Sequence, residues 1–267
     1  MFRNPADRIP VAIVVLLTLL DFSVYLLMDS VWYLAAYWLV FVIPKGAISA
    51  WNHHHQHHRT FDSTVLNRLL EQSYALHSGA TTNLWLLHHV LGHHKHYLDQ
   101  TIDESRWTRA DGTQMGIFEY TVTIAVTSFY RAYKVGDRHR AQRRTFVIFT
   151  GITFLLVGAL TWYRPLPALF LFILPMVTSL LFTAWTTYDH HAGLKTDEPF
   201  EASYNILNRA YNFVTCNLGY HAAHHYRPAL HWSELPSVHA EIAEHIPPSC
   251  YKKSSFQLFL RGTNVVL

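Results

Sequence analysis

Residues 31–58 read VWYLAAYWLVFVIPKGAISAWNHHHQHH. The run from Val31 to about Ile48 is apolar and close to the roughly 20 residues that a bilayer-spanning helix needs. It continues without a break into five histidines, so one long helix is expected to leave the membrane carrying imidazoles on its last turns. On a helix, residues three and four apart share a face. His53 with His57, and His54 with His58, are therefore two overlapping pairs, each able to point at one spot.

The chain holds twenty histidines in 267 residues. Most fall in three clusters: NHHHQHH (Asn52–His58), HHVLGHHKH (His88–His96) and HAAHH (His221–His225). In the second, His89, His93 and His94 make the cleanest triad; in the third, His221, His224 and His225 have no competitor. Imidazole is the commonest metal ligand near neutral pH. A lone surface histidine is usually just solvated, but three clusters on one membrane face would be costly to bury without a shared ligand.

Composition agrees with a membrane protein. Hydrophobic residues make up 50% and charged residues 15% of the chain, whereas soluble domains are about 25% charged. The net charge of +3 is small and forms no nucleic-acid patch. Cys216 and Cys250 make neither a disulfide framework nor a CxxC pair. Four spans are expected, at about 11–28, 31–48, 145–163 and 166–188. The first follows Arg3 and Arg8 without a small-residue cleavage site and reads as an uncleaved anchor. It contains Asp21, a mid-span acid that either serves function or faces a helix partner.

Asp29-Ser30 and Arg164-Pro165 are very short links, so the spans form two hairpins and all other polar sequence lies at the opposite end. Arg3, Arg8, Lys45, Arg138, Arg140, Arg143 and Arg144 mark that end as cytoplasmic. The fold expected is all-α and integral to the membrane: four transmembrane helices in two hairpins, with a cytoplasmic helical cap carrying the histidine boxes. A single domain over 1–267 accommodates it. Leu66–Leu91 is expected to form short helices. Gly116–Tyr133 is expected to lie along the interface.

Eight or more imidazoles exceed the three or four that one zinc takes, so two metals fit better. Ligand type alone leaves iron and zinc open. No HExxH motif, thiolate set or intramembrane histidine pair points to a metalloprotease, an iron–sulfur cluster or a haem.

The three boxes on a four-span chain resemble the membrane fatty acid desaturase and hydroxylase superfamily, which includes alkane monooxygenases and carotenoid ketolases. Asn217-Leu-Gly-Tyr-His221-Ala-Ala-His224-His225-Tyr-Arg-Pro228, followed by Trp232 and Leu235-Pro236, is similar to the family's last box. His89-Val-Leu-Gly-His93-His94 is similar to its HxxGHH box. Asp189-His190-His191-Ala-Gly-Leu194 resembles its extra histidine after the fourth span, with His191 the better match and His190 next. The resemblance implies two iron ions held by His89, His93, His94, His191, His221, His224 and His225. From the first box it implies either His54/His58, which sits nearest Thr60-Phe61, or His53/His57.

The same resemblance implies O2 as co-substrate and a desaturase acting on a fatty acyl or related lipid chain, with a hydroxylase or monooxygenase as the close second reading. A His-rich metal-handling membrane protein is the remote one. A separate electron carrier of ferredoxin, rubredoxin or cytochrome b5 type, with its reductase, is expected to dock on the cytoplasmic face. The short chain with no carrier domain points to a bacterial inner membrane. Asp99, Asp103 and Glu104 are candidates to orient imidazoles or are solvated loop acids. His88 and His96 are read as supporting or surface residues. Trp51, Trp85, Trp107 and Trp185 are candidate lining residues or, more simply, anchors and packing.

Overall fold

The structure, a computed structural model, describes residues 1–194 and 197–253; residues 195, 196 and 254–267 of the expected domain lie outside the described residues. Ten α-helices account for its architecture, with no strand among the described residues beyond isolated bridges. Four helical stretches are long and apolar enough to cross a membrane: Pro5–Leu27, Val31–His57, Arg140–Tyr163 and Pro165–His191. They contain α1 (Arg8–Leu27), α2 (Val31–His57), α5 (Arg140–Tyr163) and, in the last, α6 (Pro165–Ala168), a π-helical turn (Leu169–Ile173) and α7 (Leu174–His191).

Length explains where the histidines go. A helix of 27 residues is about 40 Å long at 1.5 Å per residue, against about 30 Å of hydrocarbon. The second and fourth spans thus overshoot the bilayer, and their last turns hold His53–His57 and His190–His191. At the far end the two hairpin turns are tied together. The Arg164 guanidinium pairs with the Asp29 carboxylate and donates to the Met28 carbonyl at 3.2 Å, while the Tyr25 hydroxyl donates to the Leu160 carbonyl at 2.7 Å. Tyr25, Leu34, Val157 and Phe172, one from each span, share one apolar core cluster.

That cluster also contains Leu76 of α3 (Thr64–Ser78). The segment expected to form short helices at the polar end instead enters the bundle as a re-entrant hairpin: α3 down, then a π-helix (Leu86–His93) back up. Ser63 caps α3, its hydroxyl accepting the Leu66 N–H at 3.4 Å, and Gly79 ends it at φ +71°. A side chain at 79 would stand 2.5 Å from the Met176 carbonyl as well as in left-handed backbone. Residues 74–85 are all buried. Irregular backbone at that depth is tolerated only where protein satisfies it. Asn52 Nδ2 donates to the Ala80 carbonyl at 3.1 Å, and Ser179 Oγ to the His77 carbonyl at 3.1 Å.

The tip of the hairpin explains Asp21. His77 Nδ1 lies 3.3 Å from the Asp21 carboxylate and its Nε2 lies 2.9 Å from Thr18 Oγ1. Lys45 Nζ donates to Asp21 Oδ2 at 2.7 Å and to the Leu171 carbonyl at 3.0 Å, and the Tyr37 hydroxyl donates to Asp21 Oδ1 at 2.7 Å. Asp21 is 13 residues past Arg8, so the network sits about 20 Å along α1. It joins α1, α2, α3 and the fourth span through one carboxylate. Asp21 thus has the helix partners that the sequence left as one of two alternatives.

Beyond the spans, α4 (Ile117–Val135) packs on α7 through Tyr120 and Ile124. It exposes Phe118, Val122, Val126 and Tyr130 at every fourth position, a stripe suited to the interface. The remaining cap consists of α8 (Arg209–Thr215), α9 (His221–Tyr226) and α10 (Leu235–Ile242).

Removing one partner of a buried ion pair strands the other charge, at a cost of about 3–5 kcal/mol. Lys45→Ala is expected to lower the thermal midpoint in detergent sharply, and Asp21→Asn combined with Lys45→Met to recover most of it. A Lys45→Ala protein as stable as its parent would refute this account.

Candidate metal centre

Four elements bring their histidines to one place: the end of α2, the π-helix, the end of α7, and α9. Two groups form. The first joins His53, His57, His89, His94 and His224; the second joins His93, His191 and His225, and in each the ligand atoms lie within 4.8 Å of one another. His221 belongs beside the second, its Nε2 2.9 Å from that of His191.

The second and third boxes are each divided between the two groups. Backbone geometry explains the division. In the π-helix the His94 N–H bonds to the His89 carbonyl at 2.9 Å, a spacing of five residues. The wider turn aligns His89 with His94, whereas an α-helix would align His89 with His93. Their Nε2 atoms are 2.8 Å apart, and His93 is turned to the second group. π-turns recur at functional sites. In α9, His221 and His225 share a face by the ordinary i, i+4 rule and His224 faces the other way, 2.9 Å from His53 and 3.0 Å from His94.

Hydrogen bonding does not account for these contacts. His93 Nδ1–H donates to Asp103 at 2.8 and 3.0 Å, and His191 Nδ1–H donates to the Ala202 carbonyl at 3.1 Å. In the neutral ring the opposite nitrogen then carries a lone pair. Yet these two Nε2 atoms face each other at 3.2 Å, and His221 and His225 bring theirs to 2.9 and 3.2 Å of the same His191 atom. One ring nitrogen makes one hydrogen bond, not three. A shared cation removes the conflict. With metal–nitrogen bonds of about 2.0–2.1 Å, neighbouring ligands around one ion stand about 3.0–3.4 Å apart. The donor set therefore fits two metal ions.

The electrostatics agree. Burial, reinforced by the surrounding imidazoles, holds His89, His94, His221, His224 and His225 well below the usual histidine range. They are neutral at pH 7, the form that binds metal.

The other candidates direct their ring nitrogens elsewhere, although the His190 ring stacks on that of His221 at 4.0 Å. His54 Nε2–H donates to the Thr215 carbonyl at 3.2 Å, and the His58 ring packs edge-on to His231. His190 Nδ1–H donates to the Tyr204 carbonyl at 2.9 Å, so its Nε2 accepts the Tyr211 hydroxyl at 3.0 Å; both nitrogens are engaged. His88 is buried edge-on against Trp85, and His96 is half-buried away from the groups. Of the three acids considered, only Asp103 touches an imidazole: Asp99 accepts from Thr101, and Glu104 lies 3.6 Å from Arg131.

Two supports escaped the sequence reading. Glu71 of α3 is buried against His55, Arg59 and Arg68, and so holds the back of the first box. Its i, i+3 spacing from Arg68 was the available signal. The Tyr97 ring lies tilted against that of His225, their centroids 4.3 Å apart.

A cavity of ≈ 160 Å³ abuts both groups between α2, α7 and α8. His53 and His89 line it from the first group and His191 and His221 from the second; Ile43 and Phe182 lie toward the membrane interior. None of the four candidate tryptophans lines it. Trp51 donates to the Val214 carbonyl, Trp85 and Trp107 belong to core clusters, and Trp185 packs edge-on to Phe118.

Asp103→Asn removes the charged acceptor that fixes the His93 tautomer. Such changes typically weaken metal binding about 10–100-fold, which metal analysis after dialysis against a chelator checks. Acid acts in a definite direction. A histidine held low in the fold and near 6.5 when unfolded leaves stability unaffected above that value and lowers it progressively as pH falls below it. Metal content and thermal midpoint are both expected to decline below about pH 6.5, and a flat profile to pH 5 would contradict this.

The sequence model of the fatty acid desaturase family matches residues 30–256. No curated protein and no solved structure shows significant similarity to the chain. The match covers most of the chain, including every histidine of the two groups: the chain belongs to the fatty acid desaturase family.

Proposed function

We propose that this protein is an O2-dependent di-iron desaturase that introduces a double bond into a fatty acyl or related lipid chain. Family membership supports a desaturase- or hydroxylase-type activity. The observation that carries the reading is the pair of histidine groups facing one apolar cavity at the membrane end of α2 and α7. In this reading His53, His57, His89, His94 and His224 hold one iron, and His93, His191, His221 and His225 hold the other. His54, whose ring lies against those of His53 and His224, and His190, stacked on His221, support them, while His58 packs on His231.

When bound, the metals supply O2 reduction and hydrogen abstraction from an unactivated C–H bond. Two hydrogens leave adjacent carbons; O2, two electrons and two protons complete two waters. The chain's own residues do the rest. Gly46, Ala47 and Ala50 keep the α2 wall of the cavity low and apolar. Phe182 lies against Gly46, where an added Cβ would be 3.2 Å from its ring, and limits how far a chain extends. Asp103 and the Ala202 carbonyl hold His93 and His191 with Nε2 free. The apolar walls exclude water from the reacting carbons.

In this reading a lipid tail enters the cavity sideways from the bilayer, which the apolar Ile43 and Phe182 of its lining support. Electrons come from a separate carrier of ferredoxin, rubredoxin or cytochrome b5 type, docked on the cytoplasmic face marked by Arg138–Arg144. A hydroxylase on the same site differs only in the fate of the carbon after the first hydrogen is lost, which depends on placement to within about an ångström.

Purified protein is expected to hold about two irons per chain, and His224→Ala or His93→Ala to reduce that number. Mass spectrometry of host lipids then distinguishes loss of two hydrogens from gain of one oxygen. Stoichiometric zinc without iron would sink the di-iron reading.

A further inference from the structure

The cavity presents several hydroxyls, and nearly all are spent on the protein itself. Thr183 donates to the Ser179 carbonyl at 2.8 Å, Thr186 and Thr187 both to the Thr183 carbonyl at 2.9 Å, and Thr215 to the Tyr211 carbonyl at 2.8 Å. Such back-bonding to the preceding turn satisfies each hydroxyl within its own helix. The Tyr211 hydroxyl donates to His190.

Ser49 is the exception. It lines the same cavity and is 3% exposed, yet its hydroxyl has no hydrogen-bond partner. It sits in the middle of α2, where the same back-bond to the carbonyl four residues earlier is the usual resort. A buried hydroxyl left unpaired is unfavourable, so an orphan beside a binding cavity calls for a partner that binds there. Its position gives the partner's address. Ser49 is four residues before His53, one helical turn or about 6 Å from that ligand along the axis. Small numbers of polar groups in apolar pockets fix the orientation of what binds.

We propose that Ser49 is a specificity-determining residue that hydrogen-bonds an oxygen carried by the lipid chain itself, a hydroxyl or carbonyl lying about one helical turn from the reacting carbon. The preferred substrate is then an oxygen-bearing chain, not a plain hydrocarbon tail, and this hydrogen bond fixes which carbon faces the metals. The inference rests on the reading of the cavity as a lipid-chain site.

Binding tests it without turnover. Metal-loaded protein in detergent is titrated with a mid-chain hydroxy fatty acid methyl ester and with the unsubstituted ester of equal length, and affinities are read from thermal shifts. The parent is expected to prefer the hydroxylated chain about tenfold, and Ser49→Ala to bring that ratio close to one with metal content unchanged. Ser49→Thr, which keeps a hydroxyl, is expected to retain part of the preference. Equal binding of both chains by the parent overturns the inference and assigns the hydroxyl to an ordered water, while leaving the lipid reading intact. A preference that survives Ser49→Ala also overturns it. No shift with either chain overturns both readings.

Discussion

A neutral imidazole nitrogen without a proton points a lone pair at whatever faces it. Here imidazole nitrogens from four separate helices face one another at 2.8–3.2 Å. Left alone they repel; around a shared cation they attract it together. The rest of the molecule is arranged to impose that approach. Asp103 and the Ala202 carbonyl hold their rings with the bare nitrogen inward. Glu71, between two arginines and His55, braces the first box from behind. The far-end tie through Arg164 keeps the hairpins in register.

Helix length converts this local chemistry into a location. The two spans that overshoot the bilayer carry the histidines that bracket the cavity, so the clustered imidazoles and lipid-depth side chains belong to the same helices. Ile43, Ser49 and His53 follow one another up α2 within the lining of a single cavity. A displacement of α2 along its axis therefore moves the first group and the α2 wall of the cavity together.

Much of this was legible in the residues. The four spans, the two short links and the boxes at one end follow from hydropathy and 3.6-residue periodicity. Which pair of the first box turns inward was not legible, because His53/His57 and His54/His58 have the same spacing and differ only in rotation. The division of the second box was hidden too, since nothing in HHVLGHH announces a five-residue turn. Gly92 was the faint trace: a side chain there would meet Glu104 at 2.6 Å. The re-entrant hairpin was invisible for a different reason. Glu71, His77 and Asn67 make its sequence look like surface, but all three are buried with partners elsewhere in the fold. Polarity reports the need for a partner, not whether that partner is water.

The same hairpin bears on how the protein comes to exist. Its tip is satisfied partly by α1 and α2, made before it, and partly by Ser179 and the fourth span, made after it. Until those later helices enter the bilayer, its irregular backbone and polar side chains have no favourable place among lipid tails. Its seating belongs to a late step of membrane biogenesis. The π-helix that follows it carries His89 and His93, with His94 at its end, so the histidine groups are complete only once the fourth span and α9 are in place. A partly inserted chain therefore presents separate histidine tracts, and the two histidine groups exist in the completed bundle alone.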